Sequence, residues 1–185
     1  MTLRADLTAL LADAAIADVD IEAALADEHV RSAAYRKVIA VVAAARGRGN
    51  DRAVVAAILR DPQDLTSKTA VIELIDAIAL KTPDPAAFDQ WAADLTPVID
   101  HLMPPAHRPF AHHRIHDWKL YLTITTGHTP APAALAAATP WMQRKLATES
   151  TSRPVLAALA ESAATQKTRN IAGNRANSHA IRGEP

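Results

Sequence analysis

The chain of 185 residues contains no cysteine, so disulfide bonds and thiolate metal sites are both excluded. It has only five glycines, and aromatic residues make up 4% of it. No segment approaches the ~20 consecutive apolar residues that a membrane-spanning helix needs. Asp6, Asp13 and Asp18 interrupt the N-terminal segment, where a secretory signal would be apolar. We therefore expect a cytoplasmic protein that does not enter the membrane.

Hydrophobic residues make up 49% of the chain, and many of them are alanine, the strongest helix former. Apolar positions recur at helical spacing almost throughout, for example Val71, Leu74, Ile75 and Ile78 on one face of a helix expected over residues 66–81. The sequence therefore predicts an all-α fold of about nine to eleven helices in a single domain, residues 1–185.

Proline and capping residues predict several helix boundaries. Asp84 before Pro85 and Thr139 before Pro140 are typical helix starts, and Ser152 and Thr165 continue the series at thirteen-residue spacing. We expect the "GRGND" segment, residues 47–51, to end a helix through glycines with positive φ. Two segments are set apart by composition: the proline-rich connector 103–109, a possible sub-boundary, and 176–185, a possible flexible tail.

The segment "DEHVRSAAYRKV", residues 27–38, resembles the second helix of a HEAT-like repeat. Asp27, Val30, Arg31 and Ala34 stand at the positions where that family has an acidic residue, Val-Arg and alanine. The resemblance covers about a dozen residues and implies an irregular or HEAT-like stack of helices, similar to an α-solenoid. Members of such families mostly bind macromolecules, and a few, the alkylpurine glycosylases among them, act on DNA.

Charge is divided unequally along the chain. Residues 1–100 contain ten Lys and Arg against sixteen Asp and Glu, whereas residues 101–185 contain ten against four. The basic part indicates an anionic partner, although head-to-tail self-association or chance would give the same asymmetry. The residues that we predict to form a binding surface are Arg114, Lys119, Arg144, Lys145, Lys167, Arg169 and Arg175.

The segment "AHHRIHDWKLYL", residues 111–122, contains two histidine pairings at helical spacing. His112 and His116 are four residues apart, the spacing of helical zinc sites, but Lys119 occupies the next turn and a third ligand would have to come from His101, His107 or His128. His113 and Asp117 could form half of a hydrolytic triad, or a half-buried pair that fixes the helix to its neighbour. We favour the structural reading for both pairs, and we expect Trp118 to belong to the core.

These features favour a non-enzymatic helical binding or scaffold module without a cofactor. It would recognise a protein partner, or another copy of the chain, by shape and charge. Two alternatives stay open: a nucleic-acid-binding regulator that uses the basic C-terminal half, and a HEAT-like enzyme that acts on DNA.

Overall fold

The computed structural model describes residues 2–178, and this part of the chain is all-helical, with eleven α-helices and no strand. The predicted fold class and helix number are confirmed. The helices are α1 Leu3–Asp13, α2 Ile21–Ala26, α3 Glu28–Ala44, α4 Asp51–Ile58, α5 Asp64–Lys81, α6 Pro85–Ile99, α7 Arg108–Thr125, α8 Pro132–Ala137, α9 Pro140–Glu149, α10 Arg153–Ser162 and α11 Gln166–Ala176. A 3-10 turn, Pro105–His107, precedes α7. None of the helices within residues 2–178 combines the length and apolarity that crossing a bilayer requires.

The predicted helix starts are confirmed. The Asp84 side chain accepts a hydrogen bond from the amide of Ala86 at 3.0 Å, and Pro85 is the first residue of α6. Thr139, Ser152 and Thr165 are the N-cap residues of α9, α10 and α11. Each N-cap residue has an extended backbone, and the residue after it is helical. Three consecutive helices therefore begin at thirteen-residue spacing.

One local expectation is corrected. The positive φ predicted for the glycines of residues 47–51 is wrong: within residues 2–178, only Ala15 and Gly127 have positive φ. Helix α3 ends before that segment because Ala45 takes an extended conformation. Helix α6 contains Pro97 and continues through it to Ile99.

The chain divides into two compact units, residues 1–114 and 115–185. The connector 103–109 lies within the first unit, and α7 begins in the first unit and ends in the second. Of the proposed tail 176–185, residues 179–185 lie outside the described residues.

The first unit is built around α5, whose residues Val71, Leu74, Ile75 and Ile78 have no solvent exposure. Helix α3 packs on α5, and α4 packs on both α5 and α6. Because α5 has helical neighbours on more than one side, apolar residues surround much of its circumference.

One charged pair lies inside this packing. Arg31 donates from Nε to Oδ2 of Asp61 at 2.6 Å, and its Nη1 donates to the carbonyl oxygen of Ala24 at 2.8 Å. Tyr35 donates to the same Asp61 oxygen at 2.8 Å, and the amide of Gln63 donates to Oδ1 at 2.8 Å. The side chains of Arg31 and Asp61 are 4% and 0% exposed. A buried pair is tolerated at such depth when further hydrogen bonds satisfy it, as they do here.

The second unit has a smaller core centred on α9, α10 and α11, in which Leu146, Leu156 and Leu159 are fully buried. Buried Gln143 links three segments: its Nε2 donates to the carbonyl of Leu135 at 3.0 Å, and its Oε1 accepts from the amide of Ala164 at 2.8 Å. Trp118 is 2% exposed, which confirms its predicted place in the core.

We expect Asp61→Asn to lower the free energy of unfolding by about 3–5 kcal/mol, because it leaves the Arg31 charge buried without a counter-charge. Urea unfolding followed by circular dichroism measures this. Adding Arg31→Met should recover part of the loss, since the unpaired charge then disappears. The control is Asp18→Asn, which breaks the exposed pair with Lys37 and should leave the urea midpoint unchanged. Equal effects of Asp61→Asn and Asp18→Asn would contradict the prediction.

Candidate functional site

The histidines singled out in the sequence lie on α7 without forming a metal centre. His112 is bonded to Asp100, with Nε2 and Oδ1 2.9 Å apart, and His116 is exposed. In the part of the chain that the structure describes, no three or more His, Asp or Glu side chains come together in a way that could hold a metal ion. The arrangement of His112 is that of a hydrogen-bonded side-chain pair at the surface.

Asp117, the predicted partner of His113, is 1% exposed and is bonded to Thr139. Its Oδ1 accepts from the Thr139 amide at 3.1 Å, and its Oδ2 accepts from the Thr139 hydroxyl. That hydroxyl also accepts from the amide of Met142 as the cap of α9. The Asp117 carboxylate therefore supports the start of a helix, while His113 is exposed.

The predicted basic surface contains residues of two kinds. Arg144 and Lys167 are exposed, whereas Arg114, Lys119, Lys145, Arg169 and Arg175 are partly buried. Arg114 belongs to the first unit, where its Nε lies 3.6 Å from Oδ1 of Asp76.

The partly buried arginines of the second unit bind main-chain oxygens at helix ends. Arg175 donates to the carbonyl of Ala147, near the end of α9, at 2.9 Å. Arg169 donates to the carbonyl of Ala163, the C-cap of α10, and to Oε1 of Gln166 at 2.9 Å. Cations at these positions satisfy carbonyls that the helix leaves without a partner. Some of the cations that were predicted to bind a partner therefore bind main-chain carbonyls of the second unit instead.

Lys145 belongs to an aromatic cluster in the same unit. Its ammonium group lies 2.7 Å from Oε2 of Glu149, and 5.3 and 4.9 Å from the ring centroids of Trp118 and Tyr121. The hydroxyl of Tyr121 donates to Glu149 at 2.9 Å, and the pKa of that tyrosine is raised, first by burial and then by the carboxylate. A tyrosine with a raised pKa stays protonated, so the hydroxyl of Tyr121 remains a donor to Glu149.

Two clefts that sequence reasoning missed flank Trp91 in the first unit. They share Arg48, Ala87 and Trp91. The Asp51 cleft, about 560 Å³ in volume, is lined by Arg48, Gly49, Asp51, Arg52, Ala87, Gln90, Trp91, Asp94 and Leu95. The Lys81 cleft, about 480 Å³ in volume, is lined by Ala43, Ala44, Ala45, Arg46, Arg48, Lys81, Thr82, Ala87 and Trp91. Both volumes lie in the range of clefts that hold small ligands.

The tryptophan between the clefts is held by a buried carboxylate. Nε1 of Trp91 donates to Oδ2 of Asp51 at 2.8 Å, and Arg48 lies 3.5 Å from the same oxygen. Asp51 is 3% exposed and Trp91 is 6% exposed. Burial raises the pKa of the Asp51 carboxyl, and the hydrogen bond from Trp91 and the charge of Arg48 oppose this shift.

The sequence signal for this site is the group of arginines in "ARGRGNDR", residues 45–52, within an otherwise acidic part of the chain. The glycines of that segment suggest a nucleotide-binding loop, but they do not form one. Lys81 and Trp91 could not be assigned to the same place from sequence, because their proximity depends on how α3, α4, α5 and α6 pack.

We expect Asp51→Asn to stabilise the protein relative to wild type more at pH 7 than at pH 4. The folded-state pKa of Asp51 is raised, so wild type loses stability as pH rises from about 4 through that pKa, when a buried charge forms. Asparagine keeps an acceptor for the Trp91 N–H and cannot ionise. Urea unfolding at both pH values, followed by tryptophan fluorescence, gives the difference. The same stability difference at both pH values would contradict this account.

The chain was compared with family models, with curated proteins and with solved structures, and none of them matches it. The HEAT-like resemblance of Asp27, Val30, Arg31 and Ala34 therefore stays a prediction. A functional proposal has to rest on the placement of charged and aromatic side chains described above.

Proposed function

We propose that this protein is a non-enzymatic helical binding module that recognises an acidic protein partner by shape and charge. The observation that carries the proposal is the distribution of charge between the two units. Residues 1–114 contain twelve Lys and Arg against sixteen Asp and Glu, and residues 115–185 contain eight against four. Each unit is thus a body with a net charge of its own, and such charge steers association with a partner of opposite sign.

The exposed cations of the second unit are the proposed contact surface. Arg144 lies on α9, Arg153 is the first residue of α10, and Lys167 lies on α11. All three are exposed. They therefore keep donors available for the carboxylates of a partner, whereas Arg169 and Arg175 donate to helix carbonyls.

A protein partner is favoured over nucleic acid because fewer basic side chains have donors available to a partner than the sequence alone implies. Nucleic-acid affinity depends on the number of phosphates that a surface neutralises. Of the seven cations predicted to form a binding surface, Arg169 and Arg175 donate to carbonyls at helix ends, and Lys145 is paired with Glu149. An enzymatic role for His113 and Asp117 is disfavoured because the Asp117 carboxylate is buried against Thr139.

The HEAT-like helical stack is part of the proposal. Asp27 caps α3 through a 2.7 Å hydrogen bond from the amide of His29, and Arg31 reaches from α3 to Asp61. The Asp27 contact is local to the start of α3, whereas the Arg31 contact joins α3 to the segment before α5, and both residues stand at positions that the resemblance marks. A stack of this kind presents an extended surface suited to a macromolecule.

The test is fluorescence anisotropy with a labelled glutamate-rich peptide and with labelled single- and double-stranded DNA and RNA, between about 50 and about 200 mM salt. We expect the peptide to bind and salt to weaken it. The variant Arg144→Ala/Lys167→Ala should weaken it at least threefold, and both changes keep a strong helix former. Arg4→Ala/Lys37→Ala removes the same charge from the first unit and should leave the affinity unchanged.

Two results would overturn the proposal. Nucleic acid that binds more tightly than the peptide at equal salt, with a steep salt dependence, would establish a nucleic-acid-binding protein instead. Equal weakening by Arg144→Ala/Lys167→Ala and Arg4→Ala/Lys37→Ala would mean that net charge alone, and not the second unit's surface, attracts the peptide.

A further inference from the structure

Cations in the acidic part of the chain are mostly paired with carboxylates. Of the ten Lys and Arg in residues 1–100, six lie within ion-pair distance of an Asp or Glu side chain: Arg4, Arg31, Arg36, Lys37, Arg48 and Arg60. Four form no ion pair within residues 2–178: Arg46, Arg52, Lys68 and Lys81. Since sixteen carboxylates are present in the same segment, unpaired cations there are exceptions that call for an explanation.

Three of these four cations line the two clefts beside Trp91. Arg46 and Lys81 line the Lys81 cleft, and Arg52 lines the Asp51 cleft. The fourth, Lys68, lies elsewhere, with its ammonium 5.0 Å from the ring centroid of Phe110. The unpaired positive charge of the acidic segment is therefore concentrated at one place.

The two clefts differ in the sign of the charges that line them. The Lys81 cleft is lined by Arg46, Arg48 and Lys81, with the hydroxyl-bearing Thr82, and none of its lining residues is acidic. The Asp51 cleft has Arg48 and Arg52 opposed by the carboxylates of Asp51 and Asp94. The cations of the Lys81 cleft attract an anion, and the lining of this cleft contains no carboxylate that would repel it.

We propose that the Lys81 cleft binds a phosphate-bearing small molecule. Arg46 and Lys81 contact the phosphate oxygens, and Thr82 donates a further hydrogen bond. The exposed residues Ala44, Ala45 and Ala87, beside the small exposed part of Trp91, form the apolar wall against which the rest of the ligand lies. Arginine binds phosphate through two parallel N–H groups and lysine binds it as a point charge, so the pair suits phosphate chemistry.

Arg48 has a different part in this cleft. Its Nη2 donates to the carbonyl of Val42 at 2.8 Å and also to that of Ala45, while its Nη1 lies 3.5 Å from Asp51. These bonds fix the segment that follows α3, and this segment contains Arg46, which lines the cleft. Arg48 is thus a positioning residue, and Arg46 and Lys81 are the binding residues.

A purely structural explanation exists for the same cations. Lys81 is in the last turn of α5, and Arg46 directly follows the C-cap of α3, where positive charge complements the helix dipole. This explanation requires no ligand and predicts only a small loss of stability on substitution. The binding proposal predicts a saturable site in addition.

The experiment is isothermal titration calorimetry of the full chain with inorganic phosphate, pyrophosphate and ATP, together with tryptophan emission. At least one probe should bind and change the emission, because Trp91 lines the cleft. The variant Arg46→Gln/Lys81→Gln should weaken binding at least ~10-fold through loss of two charge-assisted contacts. Arg36→Gln/Lys68→Gln is the matched control, since it removes one arginine from α3, the helix that precedes Arg46, and one lysine from α5, the helix that contains Lys81, and its affinity should equal that of wild type.

Two results would overturn the proposal. They are the absence of binding by all three probes at millimolar concentration, and equal weakening of binding by the control variant. The variant Arg144→Ala/Lys167→Ala should keep its phosphate affinity, because those residues belong to the second unit. The small-molecule site and the proposed protein-binding function can therefore fail separately.

Discussion

The buried carboxylate of Asp61 is the constraint on which the first unit depends. A charge placed at this depth has to be matched, and Arg31, Tyr35 and the amide of Gln63 all donate to it. Arg31 also reaches the carbonyl of Ala24, so one network ties the end of α2, the length of α3 and the segment before α5. Burial and the neighbouring Asp61 raise the pKa of Tyr35 above its usual range, which keeps its hydroxyl a donor. The arrangement that packs the apolar side chains of this unit also satisfies each of these polar groups.

In both units, some cations are bound to main-chain carbonyls, and others remain available to a partner. Arg48, Arg169 and Arg175 each bind a carbonyl at a helix end, in both units. A count of basic residues therefore overstates the charge that can meet a partner. The informative residues are those left over: Arg144 and Lys167 on the second unit, and the cations around Trp91 on the first. The two proposed binding functions rest on these remaining charges.

Local signals in the sequence were sufficient for the helices but not for the site. Thr139 and Thr165 mark helix starts because each hydroxyl accepts from the amide three residues later, and Ser152 marks one because Pro154 follows it in the first turn. The contacts that define the interior join residues far apart: Arg31 and Asp61 are separated by 30 positions, and Asp51 and Trp91 by 40. No periodicity contains such information, because it arises when helices pack. The Asp117–Thr139 bond, 22 positions apart, replaced the expected local role of Asp117 for the same reason.

Hydrogen exchange measured by mass spectrometry tests most directly whether Asp61 organises the first unit. Exchange protection reports which amides open together as a cooperative unit. If the network is common to α2, α3 and α5, Asp61→Asn should reduce protection in all three helices by a similar factor. A loss of protection confined to the few residues around position 61 would contradict this account, since it would mean that apolar packing alone holds the helices together.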